Sequence, residues 1–304
     1  MNRRKFFRDA ALSGSGVLLG QGLMGKGPEE QSENEAEVNL MDEVRKYRKI
    51  DSHAHVYFSE DSPRVQLDFA DRLSIDKLMI SVNIAPHTKG TPEQFRKNND
   101  LVIRCMKDHP DRLLGTMVLN PTYQKESLEE IDRCVDAGMV GAGELYNQLK
   151  INDPLYYPII EKLTDLNMLI HMHSAIGYSR VTLNEREPKN ISLPEDFVEI
   201  AKRYPEAMFQ YAHIGGGIDW ENSCKVLKDS PNVYVDVSGS NNAANMIDFA
   251  MKYIGEDRLL FGCDSSYYQG VGHMFAAKLT DAQRRKIFFE NYNDILKKSG
   301  NHVD

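Results

Sequence analysis

The chain has 304 residues, of which 41% are hydrophobic and 27% are charged, enough to bury a large core as one large domain or two ordinary ones. Its formal net charge of -8 disfavours nucleic acid and anionic membranes as partners, and we expect a small-molecule substrate instead. The four cysteines are scattered and none stands in a CxxC pair, so the sequence predicts neither a disulfide framework nor a thiolate metal site.

The N-terminal residues 1–27 resemble a bacterial twin-arginine export signal. Arg3 and Arg4 form the arginine pair, a phenylalanine follows two positions on, and a weakly apolar, glycine-rich run extends from Ala10 to Gly25. This run is too short and too rich in glycine to span a membrane as a helix. We therefore expect export to the periplasm without stable membrane insertion of the mature protein. A disordered basic tail is the alternative.

Residues 28–46 are predicted to be a polar linker and lead-in, because they begin with a Glu-rich polar stretch. Residues 47–304 are predicted to form a single domain in which short apolar runs alternate with amphipathic stretches. The predicted strands are Lys49–Asp51, Lys77–Val82, Leu113–Val118, Val140–Glu144, Leu169–Met172, Met208–Ala212, Val233–Val237 and Leu259–Gly262. The predicted helices are Pro92–Asp108, Lys125–Asp136, Tyr156–Leu166, Pro194–Arg203, Trp220–Lys228, Ala243–Ile254 and Asp281–Lys298.

Eight strands alternating with helices over roughly 250 residues predict a (β/α)8 TIM barrel of the α/β class. Most of the strands are rich in Val, Ile, Leu and Met without clean alternation, which is typical of strands buried on both faces. A doubly wound open sheet would share this order of elements. The positions of histidine, glutamate and aspartate residues favour the barrel, because these residues stand at the C-terminal ends of strands one, four, five, six and eight. Only closure of the sheet brings strands one and eight together.

Two histidines end the first predicted strand, where His53 and His55 flank Ala54. Because residues i and i+2 of a strand point to the same side, both imidazoles face one point and are suited to bind one ion. Two ordinary histidines near a turn are the alternative, and so short a pattern does not decide between them.

The chain resembles the amidohydrolase superfamily, in the group that includes metal-dependent decarboxylases and lactonases. The phrases that carry the resemblance are IDSHAH at 50–55, HPDRLLG at 109–115, AHIGG at 212–216, RLLFGCD at 258–264 and RKIFFENY at 285–292. Each phrase is weak alone, but jointly they are specific and extend over about residues 49–296, essentially the whole predicted barrel.

The resemblance implies a metal site at the strand ends. His53 and His55 would bind metal, together with a histidine that ends strand five. His171 and His173 both stand there, and the register of the family favours His173, which is nearer the strand tip, with His171 one layer deeper. His213 would be either a ligand of a second ion or a catalytic group that faces substrate.

Two carboxylates complete the implied site. Asp264, after strand eight, would contact the metal and act as general base and then general acid. Glu144 stands in a Gly-x-Gly-Glu phrase similar to that of the TatD-like deoxyribonuclease group, in which a glutamate bridges two metals. A glutamate paired with an arginine at the barrel mouth is the alternative. If Glu144 bridges, a binuclear centre would be formed by His53, His55, Glu144, His173, His213 and Asp264.

Substrate contacts are expected from loops at the same end of the barrel. The long polar loop after strand five contains Tyr178 and Arg180, and Arg180 would hold a carboxylate or phosphate unless it is simply solvated. His171, and Tyr267 after strand eight, are further candidates.

The preferred interpretation is a metal-dependent hydrolase that uses a metal-activated water on an ester, lactone, amide or phosphoester bond. Zinc is the preferred ion and manganese the alternative, with one or two ions per chain. The first rival function is non-oxidative decarboxylation of an unsaturated or aromatic carboxylate at one ion. The second is a non-catalytic metal-binding barrel. A homodimer is one assembly that the sequence allows.

Overall fold

The computed structural model describes residues 39–85, 88–146, 149–174, 190–214, 219–239 and 243–304. The predicted export signal, most of the predicted linker, and the substrate-contact candidates Tyr178 and Arg180 lie outside the described residues. These expectations therefore stay predictions.

Eight strands alternate with helices along the described chain. The strands are β1 (Ile50–His55), β2 (Lys77–Ser81), β3 (Leu113–Met117), β4 (Gly141–Leu145), β5 (Leu169–Met172), β6 (Met208–Tyr211), β7 (Val233–Asp236) and β8 (Leu259–Leu260). The helices are α1 (Leu40–Arg45), α2 (Arg64–Leu73), α3 (Pro92–Asp108), α4 (Gln124–Asp136), α5 (Tyr157–Asp165), α6 (Pro194–Arg203), α7 (Trp220–Leu227), α8 (Met246–Tyr253), α9 (Tyr267–Ala276), α10 (Asp281–Arg285) and α11 (Asn291–Lys298). None of these helices has the length and apolarity needed to cross a membrane.

The strands form one parallel sheet in the order β1 to β8, so that each strand pairs with its neighbours in the chain. Two backbone hydrogen bonds join the end of this sheet to its beginning. The N–H of Ser52 donates to the carbonyl oxygen of Phe261 at 2.9 Å, and the N–H of Asp264 donates to that of His53 at 2.8 Å. The sheet is therefore a nearly closed barrel, and the predicted (β/α)8 TIM barrel is confirmed.

Helix α3 shows how the local sequence sets the bounds of an element. Pro92 lies in its first turn, where a missing N–H breaks no helical hydrogen bond. The side chain of Gln94 accepts a hydrogen bond from the N–H of Thr91 at 2.8 Å, which satisfies a donor at the helix start. Phe95 and Val102 on the inner face are both 0% exposed. Capping and apolar spacing agree here, and the helix has the predicted bounds.

Three helices, α1, α2 and α9, were not predicted, and the predicted C-terminal helix is interrupted by a π-helical turn at Lys286–Glu290. Helix α9 contains two glycines, which lower its helix propensity. A Cβ at Gly270 would approach the Sγ of Cys263 to 3.2 Å and the carbonyl oxygen of Gly262 to 3.3 Å. The glycine that weakens the helical pattern is thus the residue that lets α9 pack closely against the end of β8.

Apolar side chains close the N-terminal end of the barrel. Ile50, Leu169 and Met208, each at the start of a strand, pack in one cluster with Tyr292 and Leu296 of α11. The predicted metal ligands lie at the opposite, C-terminal ends of the strands, as is usual for functional residues in this fold.

Candidate metal centre

The six predicted ligands converge at the C-terminal ends of five strands. They are His53 and His55 on β1, Glu144 on β4, and His173, His213 and Asp264 just after β5, β6 and β8. The histidines and Glu144 are buried, whereas 35% of the side chain of Asp264 is exposed. The predicted residues therefore form one site, with Asp264 on its open side.

Glu144 lies between two pairs of histidines. Its Oε1 is 2.7 Å from Nδ1 of His173 and 2.9 Å from Nε2 of His213. Its Oε2 is 3.4 Å from Nε2 of His55 and 3.5 Å from Nε2 of His53. Each carboxylate oxygen thus faces one pair, and the alternative of an arginine partner for Glu144 is not what the described contacts show. Glu144, His173 and His213 are named the second cluster below.

Asp264 completes the other group. Its Oδ1 is 3.2 Å from Nε2 of His55 and 3.8 Å from Nε2 of His53. Its Oδ2 lies 3.7 Å from Nδ1 of His213 and so reaches toward the second cluster. His53, His55 and Asp264 are named the first cluster.

The donor atoms are spaced as ligands of an ion would be. The Nε2 atoms of His53 and His55 are 3.2 Å apart, and Nδ1 of His173 is 3.0 Å from Nε2 of His213. Zinc–nitrogen bonds of about 2.0–2.1 Å in a tetrahedron would place two ligand nitrogens roughly 3.3 Å apart. Within each cluster the candidate ligand atoms all lie within 4.8 Å of one another. Imidazole nitrogen with carboxylate oxygen in this arrangement fits a divalent ion in either cluster.

The electrostatics of the site favour positive charge. Burial alone would raise the pKa of Glu144, but His53 and His173 outweigh it and hold that pKa well below its ordinary value. Burial likewise lowers the pKa of His55, yet Asp264 and Glu144 raise it to about 9. Ionised carboxylates that are buried in this way attract positive charge, which a bound divalent ion would supply.

The backbone at two of these positions is held in the left-handed region. His213 has φ 65° and lies two residues after the end of β6, and Asp264 has φ 44° and lies four residues after the end of β8. Such a conformation costs a non-glycine residue about 1–3 kcal/mol and persists only where neighbouring contacts fix it. Here the N–H of His213 donates to Oδ1 of Asp236 at 3.2 Å, while the N–H of Asp264 donates to the carbonyl oxygen of His53. The strain lies where strand ends must turn a side chain into the site.

Glycine is required immediately before Glu144. Gly143 has φ 118°, and a Cβ there would lie 2.0 Å from the carbonyl oxygen of His171 on the adjacent strand. The Gly-x-Gly-Glu phrase therefore includes a residue that lets β4 approach β5 while Glu144 faces the barrel interior.

Three polar residues that the sequence interpretation missed hold the imidazole rings from behind. Nδ1 of His53 is 3.2 Å from Oδ2 of Asp236. Nδ1 of His55 is 3.2 Å from Oγ of Ser81, and Nδ1 of His213 is 3.0 Å from Oγ of Ser238. Partners on Nδ1 leave Nε2 of each ring free to face the centre of the site. Asp236 had a sequence signal, an acid at the end of an apolar run; Ser81 and Ser238 had none.

The two histidines of β5 are placed differently. His173 belongs to the second cluster and lines the cavity described next, whereas His171 lies deeper. Nε2 of His171 is 3.4 Å from Oδ2 of Asp236, and its ring is 4.3 Å from that of His53, edge to face. Burial and the nearby charge of His53 lower the pKa of His171 to about 4, so its ring is neutral. The choice of His173 as the ligand fits this geometry and stays a prediction.

A cavity of about 410 Å³ opens above the metal ligands. The residues that line it besides His55, Glu144, His173, His213 and Asp264 are Val56, Tyr57, Val82, Asn83, Ala85 and Tyr146. Its wall is thus aromatic and aliphatic over a polar floor, which suits a small organic substrate.

Tyr267, a predicted substrate contact, is not among the described residues that line this cavity. Its side chain is 3% exposed, and its ring stacks on Phe69 with centroids 5.2 Å apart. Packing between α9 and α2 turns the ring away from the mouth. Tyr57 lines the cavity instead, and its hydroxyl is 2.9 Å from Oγ of Ser265.

The sequence matches the family described as Amidohydrolase over residues 50–291. No curated protein matches it. The match contains all six candidate ligands and nearly the whole described barrel.

Solved structures with the same fold include several decarboxylases. A 2,6-dihydroxybenzoate decarboxylase from Rhizobium is 18% identical, with a TM-score of 0.63 over 84% of this chain and 100% of its own. A dihydroxybenzoic acid decarboxylase from a Polaromonas species, with bound manganese and the inhibitor 2-nitroresorcinol, is also 18% identical, with a TM-score of 0.61 over 83% of this chain and 97% of its own. A 5-carboxyvanillate decarboxylase from Sphingomonas paucimobilis is 14% identical, with a TM-score of 0.63 over 82% of this chain and 99% of its own. At these identities the likeness establishes the fold alone.

Proposed function

We propose that this chain, which belongs to the amidohydrolase family, is a metal-dependent hydrolase of an ester, lactone, amide or phosphoester bond. The observation that carries the proposal is the position of Glu144, whose two oxygens face two separate histidine pairs. A carboxylate shared in this way supports two ions close together, an arrangement used by many hydrolases.

A divalent ion held by these residues would act as a Lewis acid on the substrate and would lower the pKa of a coordinated water. Asp264 is the group we assign to proton transfer. Although burial opposes it, His55 and the other histidines lower the pKa of Asp264, so that its carboxylate is ionised and able to accept a proton. Its position in the lining of the cavity lets it take a proton from the attacking water and deliver it to the leaving group.

His213 fits the role of ligand better than that of a free acid or base. Its Nε2 faces Oε1 of Glu144 at 2.9 Å, and its Nδ1 faces Oγ of Ser238 at 3.0 Å. Both ring nitrogens are therefore engaged. Zinc remains the preferred ion for this nitrogen and oxygen donor set, and the manganese in one structural neighbour supports the alternative.

Non-oxidative decarboxylation is the second candidate function, and the activities named for the structural neighbours favour it. The wall of Tyr57, Tyr146 and Val82 would suit a flat unsaturated acid. In that reaction the carbon–carboxylate bond breaks, carbon dioxide leaves, and the carbon that keeps the electron pair takes up a proton. One ion suffices for this reaction, so Glu144 would not need to bind metal.

Product analysis distinguishes the two candidates. Metal-loaded protein is incubated with lactones, esters, amides and phosphoesters, and separately with aromatic and unsaturated carboxylic acids. Hydrolysis in heavy-oxygen water should place one solvent oxygen in the product. Release of carbon dioxide from the acids, with no turnover of the other substrates, would refute the proposed hydrolase and assign decarboxylation instead.

A further inference from the structure

Asp236, at the end of β7, is a buried carboxylate beneath the metal site. It is 0% exposed and lies outside both clusters as defined above. Its Oδ1 accepts hydrogen bonds from two backbone N–H groups, those of His213 at 3.2 Å and Ser238 at 3.0 Å. Two backbone donors, which are held in place by the barrel, therefore fix the position of this carboxylate oxygen.

The other oxygen faces side chains. Oδ2 of Asp236 accepts a hydrogen bond from Nε2 of Gln210 at 2.9 Å, lies 3.2 Å from Nδ1 of His53, and lies 3.4 Å from Nε2 of His171. Gln210 and both histidines are themselves buried. Three buried side chains thus face this carboxylate oxygen, which can only accept hydrogen bonds when the group is ionised.

We propose that Asp236 is a positioning residue that holds the proton on Nδ1 of His53 and so presents Nε2 of that ring to the ion of the first cluster. A neutral imidazole carries one proton, and the acceptor beside Nδ1 decides which nitrogen bears it. With an ion bound, Nε2 of His53 would then be unprotonated where it faces Nε2 of His55 and the carboxylate of Asp264. The proposal rests on metal binding under the proposed function, whichever reaction the site performs.

Asp236→Asn tests this with little change in shape. Its amide oxygen must take the Oδ1 position, because the two backbone N–H groups there need an acceptor. The amide NH2 then faces Nδ1 of His53 and donates to it, which moves the ring proton to Nε2 and selects the wrong tautomer. The loss falls on the first cluster, since the oxygen kept by asparagine continues to accept from the backbone of His213.

The matched control is Asp51→Asn. Asp51 is also 0% exposed, and its Oδ1 accepts the backbone N–H groups of His53 at 3.0 Å and Cys263 at 2.9 Å. It makes no ion pair with an imidazole in the described ranges, so this variant replaces a carboxyl group that is equally buried in the same interior without a tautomer change.

The measurement is competition for zinc between the full chain and a chelator, with thermal unfolding of the metal-free proteins as a check on folding. In Asp236→Asn one zinc should bind about 10- to 100-fold more weakly, while any second zinc and the Asp51→Asn protein are unchanged. Equal zinc affinity in Asp236→Asn and wild type, or equal weakening in both variants, would overturn the proposal. A wild type that binds one zinc would refute the binuclear centre yet leave this comparison intact.

A measurement on the wild type covers the case in which Asp236→Asn does not fold. Nitrogen NMR of cadmium-loaded protein with isotope-labelled histidine should show metal coupling to Nε2 of His53 and a hydrogen-bonded proton on its Nδ1. Coupling to Nδ1, or no coupling to His53, would refute the assignment.

Discussion

Replacing Glu144 with glutamine should remove one ion from the centre and leave the other. The substitution keeps the shape of the side chain but turns one acceptor oxygen into an NH2 group. The Nδ2 of Asn83 donates to Oε2 of Glu144 at 2.6 Å, so the glutamine oxygen is expected to stay on that side. The NH2 group then faces His173 and His213, where it cannot bind a cation. We therefore expect the second cluster to lose its ion.

The size of this loss follows from burial. The side chain of Glu144 is 2% exposed, and all four of its histidine contacts lie within 3.5 Å. Removing one partner of a buried charged pair costs about 3–5 kcal/mol. Because 1.4 kcal/mol corresponds to a tenfold change in affinity, the second cluster should bind its ion more weakly by roughly two to three and a half orders of magnitude.

The assay is metal content per chain after dialysis against zinc at a concentration that saturates the wild type, followed by calorimetric titration of zinc. Two ions in the wild type should fall to one in Glu144→Gln. Glu130→Gln is the matched control, because Glu130 is equally buried but its partner is Arg133, away from the site. One ion in both the wild type and Glu144→Gln would refute a bridging role.

Three further changes have defined outcomes. Asp264→Asn should lower turnover about a hundredfold to ten-thousandfold with unfolding temperature retained, and unchanged turnover would refute its role in proton transfer. Burial raises the pKa of Glu130, but hydrogen bonds from Arg133 and other neighbours together outweigh burial and lower that pKa below its ordinary value. The ionised carboxylate therefore adds stability that is present above about pH 4.5 and is lost as pH falls through the lower pKa of the folded state. Glu130→Gln should thus be less stable than wild type at neutral pH and converge with it in acid; parallel melting curves across this range would contradict the reasoning. Lysine at both Arg3 and Arg4 should retain the protein in the cytoplasm of a bacterial host, and equal periplasmic fractions for variant and wild type would rule out the twin-arginine route.

Much of the site was predictable because chain chemistry and chain position agree there. His53, His55 and Asp264 stand at the ends of apolar runs, and barrel closure alone brings such ends together. Bounds of most strands fell within one or two residues of those observed, although β1 extends to His55, beyond the predicted end.

The rest depends on packing that no linear pattern records. Tyr267 follows Asp264 closely in the chain, yet α9 begins there and directs its ring onto Phe69. Ser81 and Ser238 are short polar residues of a common kind, and only the distances to Nδ1 atoms give them a role. Asp236 ends an apolar run as the ligands do, but the phrases that carry the family resemblance do not include β7.

The hydrogen bond from the N–H of Asp264 to the carbonyl oxygen of His53 joins the end of the barrel to its beginning. The two clusters are therefore expected to form at different stages of folding. The second cluster comes from β4 and from the residues that follow β5 and β6, whereas the first joins β1 to Asp264, which follows β8 about 200 residues later in the chain. Closing so long a loop carries a greater entropic cost, and contacts of such separation form late. A nascent chain therefore acquires the donors of one ion before those of the other. The first cluster exists only once the last strand has docked, which makes occupancy of that position a sign of a finished barrel.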